Sequence, residues 1–436
     1  MSLSKGLTAA SSLATTPPTP TITEYAVPST DSQVAGITVG PDGALWFAEG
    51  NPGGGTRSSI GRIPVTGAPI TEYSAGISVG STPYGITTGP DGTLWFTEYD
   101  GNRLARITVT GSVSEFPALP NSRSTPELLK TGPDGNVWFT EYSDANAGQG
   151  RIGRMTPGGV LSEYPDGDGP YDITTGSDGR MWFTESQPTS NAMAAITTGA
   201  TPTQTRYPLP TADASPNNVA LGLDGNIWFT ECYSNIVGKI TPSGTITEYP
   251  LPTANSCPNG IALGPDGNFY VAEFQTNAIT RVVPNGASAP TMTEFTLPTA
   301  ANGPLLITAG PDGSMWFTES STAKIGKMSL NLPTPSPGPS PVASSTPGPG
   351  CGSGGDKDGK GQCPTPTPGP GCGKGDKDDK RQCPVPTPTP NGCDQHGQGG
   401  GNDNHQSDKD SKHADKDGHR NDGHGDGGDN NQCGNH

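Results

Sequence analysis

Gly89-Pro90-Asp91-Gly92-Thr93-Leu94-Trp95-Phe96-Thr97-Glu98 is the clearest of seven copies of one decapeptide, which end at Glu49, Glu98, Glu141, Glu185, Glu231, Glu273 and Glu319. The copies are 42 to 49 residues apart, so the 436-residue length cannot be divided into domains before the repeat is read. Every Trp of the chain falls in a copy (Trp46, Trp95, Trp138, Trp182, Trp228, Trp316), and the sixth copy carries Tyr270 instead. In Gly-Pro-Asp-Gly the proline presets φ at the second turn position, aspartate suits the third, and the last glycine takes a left-handed conformation that closes a hairpin. Leu-Trp-Phe then reads as a strand buried on both faces.

The fifth repeat shows the remaining punctuation. Asn218-Val219-Ala220-Leu221, Asn226 to Glu231, Val237 to Thr241 and Ile246-Thr247-Glu248-Tyr249 are four short β segments separated by turns. Four strands at this period, covered on both faces, predict an all-β fold: a seven-bladed β-propeller over residues 21–330. The seventh copy stops after its third strand, whereas an orphan Ile22-Thr23-Glu24-Tyr25 precedes the first copy. The N-terminal strand is therefore expected to complete the last blade and close the ring, which leaves no sheet edge open.

Charge repeats as well. Third strands carry Arg62, Arg106, Arg154, Lys239, Arg281 and Lys327; fourth strands carry Glu72, Glu115, Glu163, Glu248, Glu294 and, for blade seven, Glu24. Blade four breaks both rules, with Ala195 and Arg206. Cation and acid are nine residues apart across a tight turn in repeats two, three and five, which suggests facing cross-strand pairs.

Residues 1–330 hold 28 acids against 15 bases, and the remainder 14 against 10, for a net charge of −17. Both parts are acidic, which argues against a nucleic-acid partner. No apolar run of about 18 residues is present to span a membrane as a helix. Residues 1–20 form a leader with a weak signal-like character. A Pro-rich linker follows at 331–349, then a Cys/Asp/His/Gly-rich tail at 350–436 whose composition suits disorder.

Eight cysteines divide between these parts. Cys232 and Cys257 flank strands of adjacent blades at the same end and are expected to be bonded. In the tail, repeated Cys-Gly, Asp-Lys-Asp and Gln-Cys-Pro segments favour sequential loops, Cys351 with Cys363, Cys372 with Cys383, and Cys393 with Cys433. Such loops suit an oxidising compartment, the extracellular space or cell envelope. Carboxylate clusters around Asp356, Asp376 and Asp415 resemble pieces of a calcium loop, so weak Ca binding in the tail is an expectation, although the loop's closing Glu is missing.

In a propeller, strand-two ends and strand-one starts share one face of the disc, where ligands usually bind. The seven closing glutamates, Glu273 and Glu319 among them, are candidates for a cation site, against a structural role for a group repeated in every blade. The decapeptide, with Ile-Gly-Arg-Ile and Ile-Thr-Glu-Tyr-Pro-Leu-Pro-Thr, resembles the streptogramin B lyase family, also called virginiamycin B lyases, over residues 21–330. The resemblance implies a seven-bladed propeller that opens a cyclic depsipeptide by Mg-assisted elimination, which requires a general base and a cation. It also implies functional positions after the proline of the first strands: Tyr in blade one and His in blades six and seven. Here those positions read Ala35, Asn259 and Leu305, and an acid just before the last is Gly303; Glu319 is retained.

Residues 1–395 contain no His at all, so no rotation of the blades restores a histidine base. Tyr84, Glu127, Tyr171 and Asn217 occupy the same positions in blades two to five and, with Asn259, are the ligand-binding candidates, unless they merely fill the channel mouth. The expectation is a monomeric, non-catalytic module binding a small molecule, glycan or protein on its loop-rich face. The alternatives are a Mg-dependent lyase or hydrolase using Glu319 and a tyrosine in place of His, and a purely structural envelope protein.

Overall fold

The computed structural model describes residues 19–29, 33–50, 58–121, 124–142, 150–166, 169–187 and 191–332. Their 28 strands form seven four-stranded antiparallel sheets. Blade two is typical, with strands Pro83–Thr88, Leu94–Glu98, Arg103–Ile107 and Val113–Glu115 in spatial order. The first strands of successive blades pack side by side, and that of blade seven packs on that of blade one, so the ring is closed. Thr21–Ala26 pairs antiparallel with Lys324–Ser329 and supplies the fourth strand of blade seven, as the orphan segment predicted.

The decapeptide builds this ring through its turn and its tryptophan. In blade one the Gly40 amide donates to the Ala44 carbonyl at 2.8 Å, and Gly43 sits at φ +74°, where a side chain would be strained. Asp42 in the turn accepts the Trp46 indole N–H at 3.0 Å, which lets a polar nitrogen be buried. The indole packs into the next blade: Trp46 lies among Ile86, Leu94, Phe96 and Ile107. Trp316 does the same against Leu45, Phe47 and Ile63 of blade one, and Tyr270 against Met315 and Phe317. Each apolar cluster thus lies at a junction between blades. A single blade has no core of its own, which is why the fold needs the whole ring.

The facing-pair expectation for the repeated charges fails by one residue of register. Arg106 lies opposite Ser114 and Glu115 opposite Ala105, so cation and acid occupy opposite faces of the sheet. The cations instead hold the turn aspartates: Arg62–Asp42 at 2.7 Å, Arg106–Asp91 at 3.0 Å, Arg281–Asp266 at 3.2 Å and Lys327–Asp312 at 2.8 Å. The same groups lie over the indoles, as Arg154 does over Trp138 at 5.3 Å. Blade four lacks the third-strand cation, and Arg180 of its own turn takes the place, 2.7 Å from Asp178 and 4.5 Å above Trp182.

The fourth-strand glutamates clamp the chain where it enters their blade. Glu115 accepts from the Ser78 amide and hydroxyl, Glu248 from those of Thr211, Glu294 from those of Thr253 and Glu24 from those of Thr299. Repeated acids therefore do repeated structural work.

Candidate functional site

The face identified from the sequence is built by one local irregularity. Pro83 pairs with Glu98 and Ile86 with Phe96, leaving Tyr84 and Gly85 in a bulge; the same register shift occurs in all seven first strands. Bulges re-aim side chains and recur beside active sites. The bulged residues include Ala35, Tyr84, Glu127, Tyr171, Asn217, Asn259 and Leu305, the ring of candidate positions. The decapeptide threonine locks four of the bulges to the preceding blade: Thr97 donates to the Glu127 carbonyl (2.7 Å), Thr140 to Tyr171 (2.7 Å), Thr184 to Asn217 (2.7 Å) and Thr230 to Asn259 (2.6 Å). The site backbone is held at both ends, a preorganised rim rather than a loose one.

Blades two to four bring their candidates together. The Tyr84 and Tyr171 hydroxyls meet at 2.6 Å, and the Tyr84 and Tyr99 rings are 6.0 Å apart. Glu127, from the blade between them, is only 5% exposed. Burial, the neighbouring phenol and the Glu127 charge drive the Tyr84 phenol well above its usual range; burial and Glu127 do the same to Tyr171. Both phenols stay neutral at physiological pH. Tyr84, Tyr171 and Leu305 also pack on the apolar group containing Leu128 and Leu306, so part of each ring serves the core.

The remaining candidates stand apart. Asn259 is buried and its Oδ1 has no hydrogen-bond partner among the described residues. Asn217 is half-buried, with its carbonyl taken by Thr184. Gly303 lies at φ +57°, and a Cβ there would press on Ser321 and Phe274, so no acid fits without movement.

Below the rim, the innermost strands line a central cavity of about 430 Å³ that includes Thr38, Thr87, Lys130, Asp172, Thr174 and Asn218. Asp172 was missed by sequence reasoning. Its Oδ2 accepts the Val219 amide at 2.9 Å and Asn218 Nδ2 at 3.0 Å, tying blades four and five. Burial raises its carboxyl to about 6, against the pull of those donors and of Lys130. The available signal was a charge at the second bulge position, where blades one, two and six carry Gly36, Gly85 and Gly260 and blades three, five and seven carry Leu128, Asn218 and Leu306.

The seven closing glutamates point into their own blades. Glu273 accepts from Thr276 and Thr280, and Glu319 has neither oxygen hydrogen-bonded among the described residues. Burial comes first and the overlying fourth-strand acid second in raising Glu98, through Glu115, and Glu319, through Glu24, each to about 8. A neutral carboxyl is a poor ligand for a hard cation. Among the described residues no group of three or more His, Cys, Asp or Glu could hold a metal ion. The residues present, Glu319 included, therefore do not fit the Mg site that the family implies.

The Cys232–Cys257 disulfide is formed, linking the adjacent loops of blades five and six. The six tail cysteines, the tail carboxylate clusters, and residues 51–57 and 143–149 in the loops between the second and third strands of blades one and three lie outside the described residues. Among the described residues no helix is long and apolar enough to cross a membrane.

The sequence profile of the virginiamycin B lyase family matches residues 5–149 and 145–332, the whole propeller. The chain belongs to the virginiamycin B lyase family. A solved streptogramin B lyase structure is 33% identical, with a TM-score of 0.62, covering 71% of this chain and 97% of that one. A catalytically inactive histidine-to-alanine virginiamycin B lyase from Staphylococcus aureus, solved with quinupristin, is 34% identical, also with a TM-score of 0.62, covering 71% and 99%. A search of curated proteins finds no match.

Proposed function

We propose that this virginiamycin B lyase-family propeller is a non-catalytic binding module working outside the cytoplasm. The carrying observation is a mouth that keeps the family's architecture without its chemistry: Ala35, Asn259, Gly303 and Leu305 stand where the reacting groups are expected, and residues 1–395 contain no His. In the Staphylococcus aureus relative, replacing one histidine by alanine accompanies loss of catalysis, and that protein was nevertheless solved with quinupristin. Loss of the base and retention of binding are thus compatible on this fold. Elimination requires a group able to take the Cα proton near neutral pH. The phenols of Tyr84 and Tyr171 titrate far too high, and Glu319 is a buried carboxyl enclosed in its blade.

What the mouth offers is aromatic surface, amides and carboxylate oxygen on a fixed rim, the equipment of recognition. The partner is a small molecule, a glycan or a peptide segment of a protein. The Cys232–Cys257 bridge supports an oxidising compartment. The deciding experiment incubates purified protein and Mg with a panel of type B streptogramins and follows ring opening by mass spectrometry. Intact antibiotic throughout is the expected result; ring opening abolished by Glu319→Gln would overturn the reading.

A further inference from the structure

The candidates at the mouth fall into two unlike arcs. Blades six, seven and one present Asn259, Leu305 and Ala35, whereas blades two, three and four present Tyr84, Glu127 and Tyr171, with Tyr99 behind Tyr84. In the second arc Tyr84 and Tyr171 come from the blades on either side of the one that carries the buried Glu127, and Tyr99 packs on Tyr84. The phenol oxygens meet at 2.6 Å, the Tyr84 and Tyr99 rings lie 6.0 Å apart, and the Glu127 charge reaches both bulged phenols. Tyr84 and Tyr171 both keep part of their surface exposed. Thr97 and Thr140 pin the Glu127 and Tyr171 carbonyls, and Thr97 also accepts from the Gly85 amide next to Tyr84, so the three side chains depart from a backbone fixed before any ligand arrives.

From this geometry we infer that the blade two-to-four arc is a recognition site for an organic ammonium ion, an inference that rests on the mouth being a binding site. Ring faces carry negative quadrupoles, and a cation in contact with several of them gains most where water is excluded. A carboxylate beside the rings adds a full opposite charge in the same low-dielectric setting. The donor inventory points the same way. Asp172, one residue beyond Tyr171, contributes a second acid to the Tyr171 surroundings, and the buried Oδ1 of Asn218, whose amide nitrogen donates to Asp172, is an acceptor without a partner among the described residues. An anionic guest would meet Glu127 and Asp172. A neutral apolar guest would leave the acceptors dry and unpaired, which is costly. An alkylammonium group meets both conditions, with its charge on the ring faces and Glu127 and its C–H or N–H edges toward the acceptors.

The site differs in position from the erased half of the mouth, so its ligand need not share the shape of a streptogramin. The occupant is defined by one group, a methylated or primary ammonium on a small molecule or side chain.

The test uses the full-length protein in about 0.15 M NaCl, which screens the acidic tail. Choline and its uncharged carbon isostere, 3,3-dimethylbutan-1-ol, are titrated by calorimetry or ligand-observed NMR. Choline is expected to bind at least about tenfold more tightly than the isostere, and Glu127→Gln to remove about tenfold of choline affinity, leaving that for the isostere unchanged. Tyr171→Phe keeps the ring and should retain most choline affinity. Equal affinity of choline and the isostere, absence of choline binding, or full choline affinity in a folded Glu127→Gln protein would each overturn the inference. The binding-module reading fails separately, by streptogramin ring opening, so the two failures are distinguishable.

Discussion

In blade four the fourth strand, Gln204–Pro208, follows directly in the chain and brings Arg206 onto the buried carboxylate of Glu185. In blade seven it comes from the other end of the chain, Thr21–Ala26, and brings Glu24 over Glu319. Both blades bury a Trp held by the turn Asp (Trp182 on Asp178, Trp316 on Asp312) and covered by a cation, Arg180 of the turn in blade four and Lys327 of the third strand in blade seven. The outer strand is where they diverge. Blade four neutralises its buried acid with a guanidinium, whereas blade seven directs Glu24 to Lys324, the Thr299 amide and Asn302 and leaves Glu319 to keep its proton. The repeated inner motif thus fixes the packing, and the outer strand sets the charge state of what lies beneath it.

Removing the strand that distinguishes blade seven should have the largest effect. Deleting residues 1–28 strips the partner from Lys324–Ser329 and the ring of Tyr25 from Trp316, 5.9 Å away. The ring then opens at an unpaired edge, and the melting temperature should fall by roughly 10 °C or more. Calorimetry showing an unchanged transition would refute the latch.

Next come the two buried acids. Glu185→Ala removes the carboxylate with which Arg206 forms an ion pair, and because Arg206 is 41% exposed the loss should be only about 1–2 kcal/mol in urea unfolding. Glu319→Gln replaces an already protonated carboxyl with a similar shape and should change stability near pH 6 by less than about 0.5 kcal/mol. Equal losses for the two substitutions would erase the distinction between the blades.

The smallest effect is the pH slope. Burial first, and then the overlying acids, hold Glu98, Glu231 and Glu319 near 8 and Glu141 near 7 in the folded chain. Unfolded, these carboxyls return to ordinary values near 4.5. Between the two values the folded chain binds more protons, so this contribution is complete below about pH 4.5 and lost as pH rises through about 8. The melting temperature should therefore decline from pH 6 to pH 9, and Glu319→Gln should flatten the decline. A rise over that range would contradict protonated buried glutamates.

The sequence showed the fold almost whole, because a repeated turn, buried strand and Trp describe one packing event that a ring must carry out seven times. It also showed the split blade, since Ile22-Thr23-Glu24-Tyr25 has no other place to pair, and the Cys232–Cys257 bridge between neighbouring loops. The charge pattern was visible but misread: a one-residue register shift moves every side chain to the other face, so Arg106 meets Asp91 and not Glu115. Asp172 and Tyr99 escaped notice because neither occupies the counted position.

By itself, then, the sequence determined the number of blades, the closing strand and the absence of a histidine base from residues 1–395, all of which are properties of order and spacing along the chain. Only the tertiary structure decided what those residues face. The bulge in each first strand aims Tyr84, Glu127 and Tyr171 at the mouth, and the curvature of the ring brings the hydroxyls of blades two and four to 2.6 Å. Residues 87 positions apart, two repeats along the chain, meet through packing between blades; the periodicity gives them equivalent positions but not the contact.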